Sequence, residues 1–257
     1  MKLAATDFDG TFCPFHKDSL MSGRVPAENL EAVQRWQAAG NKFGIATGRS
    51  YGLIKYSIDE YPGLAVDFLV CNNGAVSVDG KGNLLHAQTI PDKVMHSLLE
   101  LPVVQQEDVP LIIFTKWKSY TLHPEAAIPV SLVPMITMNE ARALTGTVQL
   151  SLKLRTPEEA QSVADDIEKK YPVLACNINR SYVDVNAAVV GKGWGIRRMI
   201  EAAGWEPQEI LTIGDDKNDL SMLDEFSGYT VASAKPFMKE RAAGVYESVA
   251  AMLQANL

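Results

Sequence analysis

The sequence is poor in cysteine, and the few cysteines that it has follow no pattern. Cys13, Cys71 and Cys176 are odd in number and far apart, and none of them belongs to a CxxC pair. This spacing argues against a disulfide framework and against a cysteine-ligated zinc site. It fits a reducing compartment, so we expect a cytoplasmic protein.

Long hydrophobic runs and an excess of positive charge are also missing. No apolar run approaches the length of a transmembrane helix, and the residues before Asp7 are too few for a signal peptide. The chain has 24 Lys and Arg against 31 Asp and Glu, a net charge of −7. Nucleic acid needs basic surfaces, so we expect neither a nucleic-acid nor a membrane partner. A small phosphate ester remains possible because it needs only a few local cations. Nothing here indicates an oligomeric state.

The order of predicted elements divides the 257 residues into a core and an insert. Strands and helices alternate up to about residue 80 and again from Gly191, which is typical of a parallel sheet covered by helices. Between them lie hairpins, and Val148, Leu150 and Leu152 alternate with polar residues, which predicts an antiparallel sheet with one buried and one wet face. We expect an α/β core of residues 1–80 and 186–257, and an inserted α+β domain of residues 81–185.

Two carboxylates stand directly after the first predicted strand, which the small and apolar residues between Lys2 and Thr6 indicate. Asp7 and Asp9 are two residues apart, so in an extended segment their side chains point to the same side. Carboxylates held this close repel each other unless a proton or a metal ion intervenes. Two repelling carboxylates at the end of a strand do not stabilise it, so the pair indicates a function.

More polar residues follow other predicted core strands. Thr47-Gly48 comes after the second strand, and Asp215, Asn218 and Asp219 come after a late one. In parallel sheets, ligands bind beyond the carboxyl ends of the strands, so these residues should meet at one rim. Several carboxylates in a small volume require a hard cation, and all-oxygen ligation suits Mg²⁺.

Together these segments resemble the four motifs of the haloacid dehalogenase (HAD) superfamily. The motifs are Asp7-Phe8-Asp9-Gly10-Thr11, Thr47-Gly48-Arg49, Lys192, and Gly214-Asp215 with Asn218-Asp219. The insert resembles the C2 type-B cap of the Cof-type (subclass IIB) phosphatases. The resemblance implies a Rossmann-like core with an α+β cap. It also implies an Mg²⁺-dependent phosphatase acting on a small phosphorylated metabolite, with a sugar phosphate as the first expectation.

The resemblance also implies a role for each motif residue. Asp7 would be the nucleophile that forms an aspartyl-phosphate, and Asp9 the general acid and base. Mg²⁺ would be held by the Asp7 carboxylate, the Asp9 backbone carbonyl and Asp215, with Asp219 acting behind them. The remaining residues would bind the phosphoryl group: Phe8 through its N–H, Thr47, Gly48, Lys192 and Asn218.

Two other functions stay open at this point. A phosphomutase or phosphotransferase of the same superfamily would use the same motifs with a different acceptor. A non-catalytic protein that binds a phosphorylated ligand for regulation is the second alternative, although it would not need every motif to be intact. Asp216, Asn73 and Arg49 lie within or beside the motifs, and the sequence assigns no role to them.

Overall fold

The computed structural model describes residues 1–15, 23–123 and 133–257. Pro14, Gly23 and Pro26 predict an irregular segment over residues 12–26, which lies partly outside these ranges. The strands are β1 Lys2–Thr6, β2 Lys42–Ala46, β3 Phe68–Cys71, β4 Val76–Asp79, β5 Leu84–Ala87, β6 Leu111–Thr115, β7 Ser119–His123, β8 Thr147–Lys153, β9 Leu174–Asn179, β10 Tyr182–Ala187, β11 Glu209–Gly214, β12 Tyr229–Val231 and β13 Val245–Tyr246. The helices are α1 Ala27–Ala38, α2 Tyr51–Ile58, α3 Asp92–Leu99, α4 Met138–Ala143, α5 Pro157–Lys170, α6 Lys192–Ala203, α7 Leu220–Phe226, α8 Pro236–Arg241 and α9 Val249–Ala255. None of the helices in these ranges is long and apolar enough to cross a lipid bilayer.

Two compact units make up the described chain. The first contains residues 1–48, 54–86 and 191–257, and the second contains residues 49–53 and 87–190. The boundaries predicted from the sequence, after residues 80 and 185, remain a prediction about domains. The short segment Arg49–Leu53 belongs to the second unit although the first unit flanks it on both sides.

The first unit is built on a sheet with the order β13-β12-β11-β1-β2-β3-β4-β5. β1 lies parallel to both β11 and β2, and its last residue, Thr6, faces Ile213 on one side and Ile45 on the other. Every residue of β1 after Lys2 is buried, as expected for a parallel strand covered on both faces. The carboxyl ends of these three strands therefore lie side by side at one edge.

The end of the chain differs from its prediction. The sequence from Pro236 onward predicts a helical tail, but α8 ends at Arg241 and the short strand β13 precedes α9. β13 extends the sheet by pairing Val245 and Tyr246 with β12. Ser248 then begins α9 as its N-cap, because its side chain accepts a hydrogen bond from the Ala251 N–H. Val245 and Tyr246 have side chains that favour strands, and Ser248 starts a new helix, so these residues separate α8 from α9.

Asn29, a fully buried residue of α1, connects three segments of the first unit. Its Nδ2 donates to the Phe12 carbonyl at 2.9 Å, in the loop that follows β1. Its Oδ1 accepts from the Ala250 N–H at 2.9 Å, in the first turn of α9. A buried amide bonded on both sides fixes the position of the loop beyond Asp7 relative to the two helices.

We expect Asn29→Leu to destabilise the protein by about 2–4 kcal/mol. The substitution leaves the buried Phe12 carbonyl and Ala250 N–H without partners, and each orphaned group costs about 1–3 kcal/mol. Thermal unfolding followed by circular dichroism measures the effect. Gln34→Leu is the matched control on the same helix, because Gln34 is exposed and makes one long hydrogen bond, of 3.4 Å, to the Gly63 carbonyl. Equal losses for the two variants would contradict the proposed bridging role.

The second unit contains an antiparallel sheet with the order β7-β6-β8-β10-β9. Val148, Leu150 and Leu152 of β8 lie on its apolar face, and the last two pack with α3 and α5 in a single core, as their alternation predicts. The opposite face, however, is not wet. Its residues Gln149 and Ser151 are 1% and 8% exposed, so the prediction of a solvated face was wrong. Here the polar side chains hydrogen-bond one another, which lets them leave water at low cost.

Candidate active site

The loop after β1 is closed on itself by backbone hydrogen bonds. The Phe12 N–H donates to the Asp7 carbonyl at 3.2 Å and the Cys13 N–H to the Phe8 carbonyl at 2.8 Å. Gly10 has a φ of +94°, and a Cβ there would lie 2.5 Å from Asp215 Oδ2. Only glycine allows this turn to approach the Asp215 carboxylate so closely.

Lys192 is the centre of the site. It is the first residue of α6 and is 0% exposed. Its Nζ donates to Asp7 Oδ1 and to Asp219 Oδ1, both at 2.6 Å. Burial alone lowers the pKa of a lysine, but the carboxylates of Asp219 and Asp7 outweigh it and hold the pKa of Lys192 above its ordinary value. Lys192, a motif of a single residue in the sequence, thus joins Asp7 to Asp219.

The close approach of α6 is possible because Gly74 packs against Gly195, a residue of the first turn of this helix. Gly74 has a φ of +111°, and a Cβ there would lie 2.2 Å from the Gly191 carbonyl oxygen. A Cβ on Gly195 would lie 2.6 Å from the Gly74 Cα. The 3₁₀ turn Asn72–Gly74 and the first turn of α6 therefore pack backbone against backbone, which brings Lys192 to Asp7.

Asp219 organises the loop after β11 instead of facing outward. It is fully buried, and while its Oδ1 binds Lys192, its Oδ2 accepts from the Asp215 N–H at 2.8 Å and the Asp216 N–H at 3.0 Å. Both oxygens are thus occupied by protein donors. That Asp219 acts behind the residues that face the ligand remains a prediction.

Asp215 projects toward the first loop. Its Oδ1 accepts from the Thr11 hydroxyl at 2.8 Å. Burial raises the pKa of Asp215 to about 6, with the Asp219 and Asp216 charges adding to it and Thr11 and Lys192 opposing it. Thr11 belongs to the first motif, but the sequence assigned no role to it, because the partner lies 204 residues away.

Asp7 lies in the same acidic environment. Burial raises the pKa of Asp7 well above its ordinary value, Lys192 opposes the shift, and Asp219, Asp215 and Asp9 add to it. The three carboxylates of Asp7, Asp215 and Asp219 each place an oxygen within 4.8 Å of the others. Set against one ammonium, three ionised carboxylates leave an excess of two negative charges, which one divalent cation balances.

The donor set fits Mg²⁺. Carboxylate oxygens are the ligands this ion prefers, and it usually retains several waters. Lys192 binds one oxygen of Asp7 and Thr11 one oxygen of Asp215, whereas Asp219 has Lys192 on one oxygen and two backbone N–H groups on the other. Asp7 and Asp215 are therefore the side chains suited to hold the ion, and Asp219 is not, since protein donors already bind both of its oxygens.

The second motif joins the fourth through Asn73. Thr47 is 1% exposed, and its carbonyl accepts from the Asn73 N–H at 3.0 Å. Asn73 Oδ1 accepts from Asn218 Nδ2 at 3.2 Å, and a Cβ on Gly48 would lie 3.1 Å from the same oxygen. Asn73 has a φ of +56°, a left-handed conformation that asparagine tolerates better than most residues. It therefore places Gly48 and Asn218 next to each other.

The predicted site residues thus fall into two connected groups. Lys192 links Asp7 to Asp219, and Thr11 links the first loop to Asp215. Thr47, Gly48 and Asn218 meet around Asn73. Phe8, which is 2% exposed, and the partly buried Asp9 lie between Asp7 and Gly10 in the loop itself. Their roles, like those of the other site residues, remain predictions.

Known proteins resemble the chain over almost its full length. Residues 4–251 match the family of haloacid dehalogenase-like hydrolases. A curated protein of Mycoplasma capricolum is 29% identical over 238 residues, which cover 88% of both chains. The 5-amino-6-(5-phospho-D-ribitylamino)uracil phosphatase YwtE of Bacillus subtilis is 27% identical over 283 residues, covering 96% of this chain and 93% of YwtE.

Two solved structures share the fold. A HAD subclass IIB sugar phosphatase superimposes with a TM-score of 0.80 at 23% identity, covering 99% of this chain and 97% of that one. A haloacid dehalogenase-like hydrolase from B. subtilis superimposes with a TM-score of 0.82 at 20% identity over the whole of both chains. These comparisons confirm the predicted superfamily, the predicted α/β fold class and the predicted enzyme class, a phosphatase. The chain belongs to the haloacid dehalogenase-like hydrolase family.

Proposed function

We propose that the protein is an Mg²⁺-dependent phosphatase that hydrolyses a small phosphorylated metabolite through an aspartyl-phosphate on Asp7. The observation that carries the proposal is the buried Lys192 ammonium, 2.6 Å from both Asp7 Oδ1 and Asp219 Oδ1. A carboxylate and a phosphate ester repel each other, and a fixed cation beside the nucleophile offsets this repulsion. Because Lys192 is held from two sides, it needs little reorganisation during the reaction.

In the first step, an Asp7 carboxylate oxygen attacks phosphorus. The bond between phosphorus and the ester oxygen breaks, and the leaving oxygen takes a proton from the Asp9 carboxyl group. Thr47, the Gly48 N–H and Asn218 would bind the phosphoryl oxygens together with Lys192. Their grouping around Asn73 supports this assignment.

In the second step, Asp9 acts as the base. It takes a proton from a water molecule, whose oxygen attacks phosphorus and breaks its bond to Asp7. Inorganic phosphate leaves and the Asp7 carboxylate is restored. When bound by the Asp7 and Asp215 carboxylates and the Asp9 carbonyl, Mg²⁺ would supply positive charge that offsets the charge of the carboxylates and of the phosphoryl group.

A sugar phosphate is the substrate class that we propose. The support for this class is the structural likeness to a HAD subclass IIB sugar phosphatase. We also propose that the protein is cytoplasmic, since all three cysteines are free thiols, as expected in a reducing compartment.

The test is turnover of a panel of phosphate esters by the full chain, with Mg²⁺ and after its removal by EDTA. We expect phosphate release to fall by about 100-fold or more without the metal, since such an ion contributes several kcal/mol to catalysis. Added Mg²⁺ should restore it, and sugar phosphates should be turned over faster than an aryl phosphate. Turnover that is unchanged by EDTA would refute the metal dependence. Transfer of phosphate to a sugar acceptor in place of release would favour the mutase.

A further inference from the structure

Asp216 places an additional carboxylate directly after Asp215, yet its side chain is engaged elsewhere. Its Oδ1 accepts from the Lys217 N–H at 2.8 Å, so it caps the 3₁₀ turn Lys217–Asp219. Both of its oxygens accept from Lys235 Nζ, at 2.8 and 2.7 Å. Its backbone N–H meanwhile donates to Asp219 Oδ2. The main chain of Asp216 thus belongs to the active-site loop, while its charge is paired with Lys235.

Lys235 is held in place by the start of α8. It is the N-cap residue of this helix, Pro236 follows at the first helical position, and its carbonyl accepts from the Met238 N–H at 3.0 Å. Proline restricts the backbone there, so the origin of the lysine side chain is well defined. The side chain itself is 60% exposed and the Asp216 side chain 33%, so the pair alone contributes little to stability.

We propose that Lys235 is a positioning residue that keeps the Asp216 carboxylate away from the divalent cation, so that Asp215 is the ligand from this loop. The inference rests on the proposed metal dependence. Without Lys235, two adjacent carboxylates face a site that already has an excess of negative charge. The affinity for the cation would then rise, and the affinity for the anionic phosphoryl group would fall.

The experiment measures Mg²⁺ binding to the full chain by isothermal titration calorimetry, together with inhibition by inorganic phosphate. For Lys235→Met we expect roughly two- to fivefold tighter Mg²⁺ binding and a similar weakening of phosphate, the size of one partly screened charge. Asp216→Asn should shift both constants the other way. When Lys235→Met is combined with Asp216→Asn, the lysine has lost its partner. The change that Lys235→Met causes in the logarithm of each binding constant should then be less than about half of the change in the wild-type background. Lys81→Met, which removes an exposed lysine from the turn between β4 and β5, is the control and should change neither constant.

The outcomes separate this inference from the proposed function. Opposite shifts that depend on Asp216 support it. Wild-type binding of Mg²⁺ with no change in Lys235→Met, or an equal change in both backgrounds, overturns it and leaves the proposed function standing. A wild-type protein that binds no Mg²⁺ overturns both. A merely structural role of the pair would lower the unfolding temperature without moving the two constants in opposite directions.

Discussion

Asp7→Asn is expected to abolish turnover while leaving the fold intact. An amide is a poor nucleophile toward phosphorus, so no aspartyl-phosphate forms, and loss of a covalent nucleophile lowers kcat by roughly 10⁴-fold or more. The amide keeps an oxygen that accepts from Lys192. It also removes a charge at a buried position where burial and the neighbouring carboxylates oppose ionisation. In metal-free protein, the unfolding temperature should therefore not fall, which thermal unfolding beside the kinetic assay measures.

Two further variants sharpen this result. Asp59→Asn makes the same chemical change at an exposed residue that pairs with Lys55 on the surface, and it should leave kcat unchanged. Asp9→Asn should lower kcat by about 10²–10⁴-fold, the usual contribution of a general acid–base group. Acid quenching followed by intact-protein mass spectrometry distinguishes the two roles. A phosphorylated species should be trapped on wild-type or Asp9→Asn protein and never on Asp7→Asn. Turnover that survives Asp7→Asn would falsify the nucleophile assignment.

The sequence predicts the core of the site well because the rule involved is local and geometric. Each motif follows a strand of a parallel sheet, and neighbouring strands end at one edge, so Asp7 and Asp215 must come close once β1 and β11 pair. Strand β1, for example, runs from Lys2 to Thr6, the range predicted from its small and apolar residues. Neither step needs any knowledge of distant side-chain contacts.

The contacts that the sequence misses all join segments far apart in the chain. Asn29 reads as an ordinary polar residue of a helix, but it bridges the first loop and α9. Ser50 and Tyr51 directly follow the second motif, but their contacts are with Ser119 and Trp117 of the second unit. Hydrophobic periodicity records which face of an element is buried and not which partner lies opposite. Such polar and aromatic pairings therefore emerge only from the folded structure.

Lys192→Met is expected to cause the largest loss of stability of any single substitution considered for the site. The lysine is 0% exposed and is the hydrogen-bonded partner of both Asp7 and Asp219. Removing it leaves two buried carboxylates facing each other, and breaking a buried pair in this way costs about 3–5 kcal/mol. Asp219 also holds the Asp215 N–H and so the loop after β11, which means that activity should disappear together with stability. Thermal unfolding and turnover of the same preparations measure both.

The pH dependence of this loss identifies its cause. Burial, with the nearby Asp219, Asp215 and Asp9 charges adding to it, already raises the folded-state pKa of Asp7, and Lys192 opposes this shift. Removal of the ammonium therefore raises the folded-state pKa of Asp7 further above its unfolded-state value. A raised folded-state pKa means stability that is lost as pH rises, so the deficit of Lys192→Met should be larger at pH 8 than at pH 5. A second substitution, Asp219→Asn, should recover part of it by removing one unpaired charge. Lys55→Met breaks an exposed pair and should cost less than about 1 kcal/mol, with little pH dependence. A Lys192→Met deficit that stays the same from pH 5 to pH 8 would attribute the loss to packing and not to uncompensated charge.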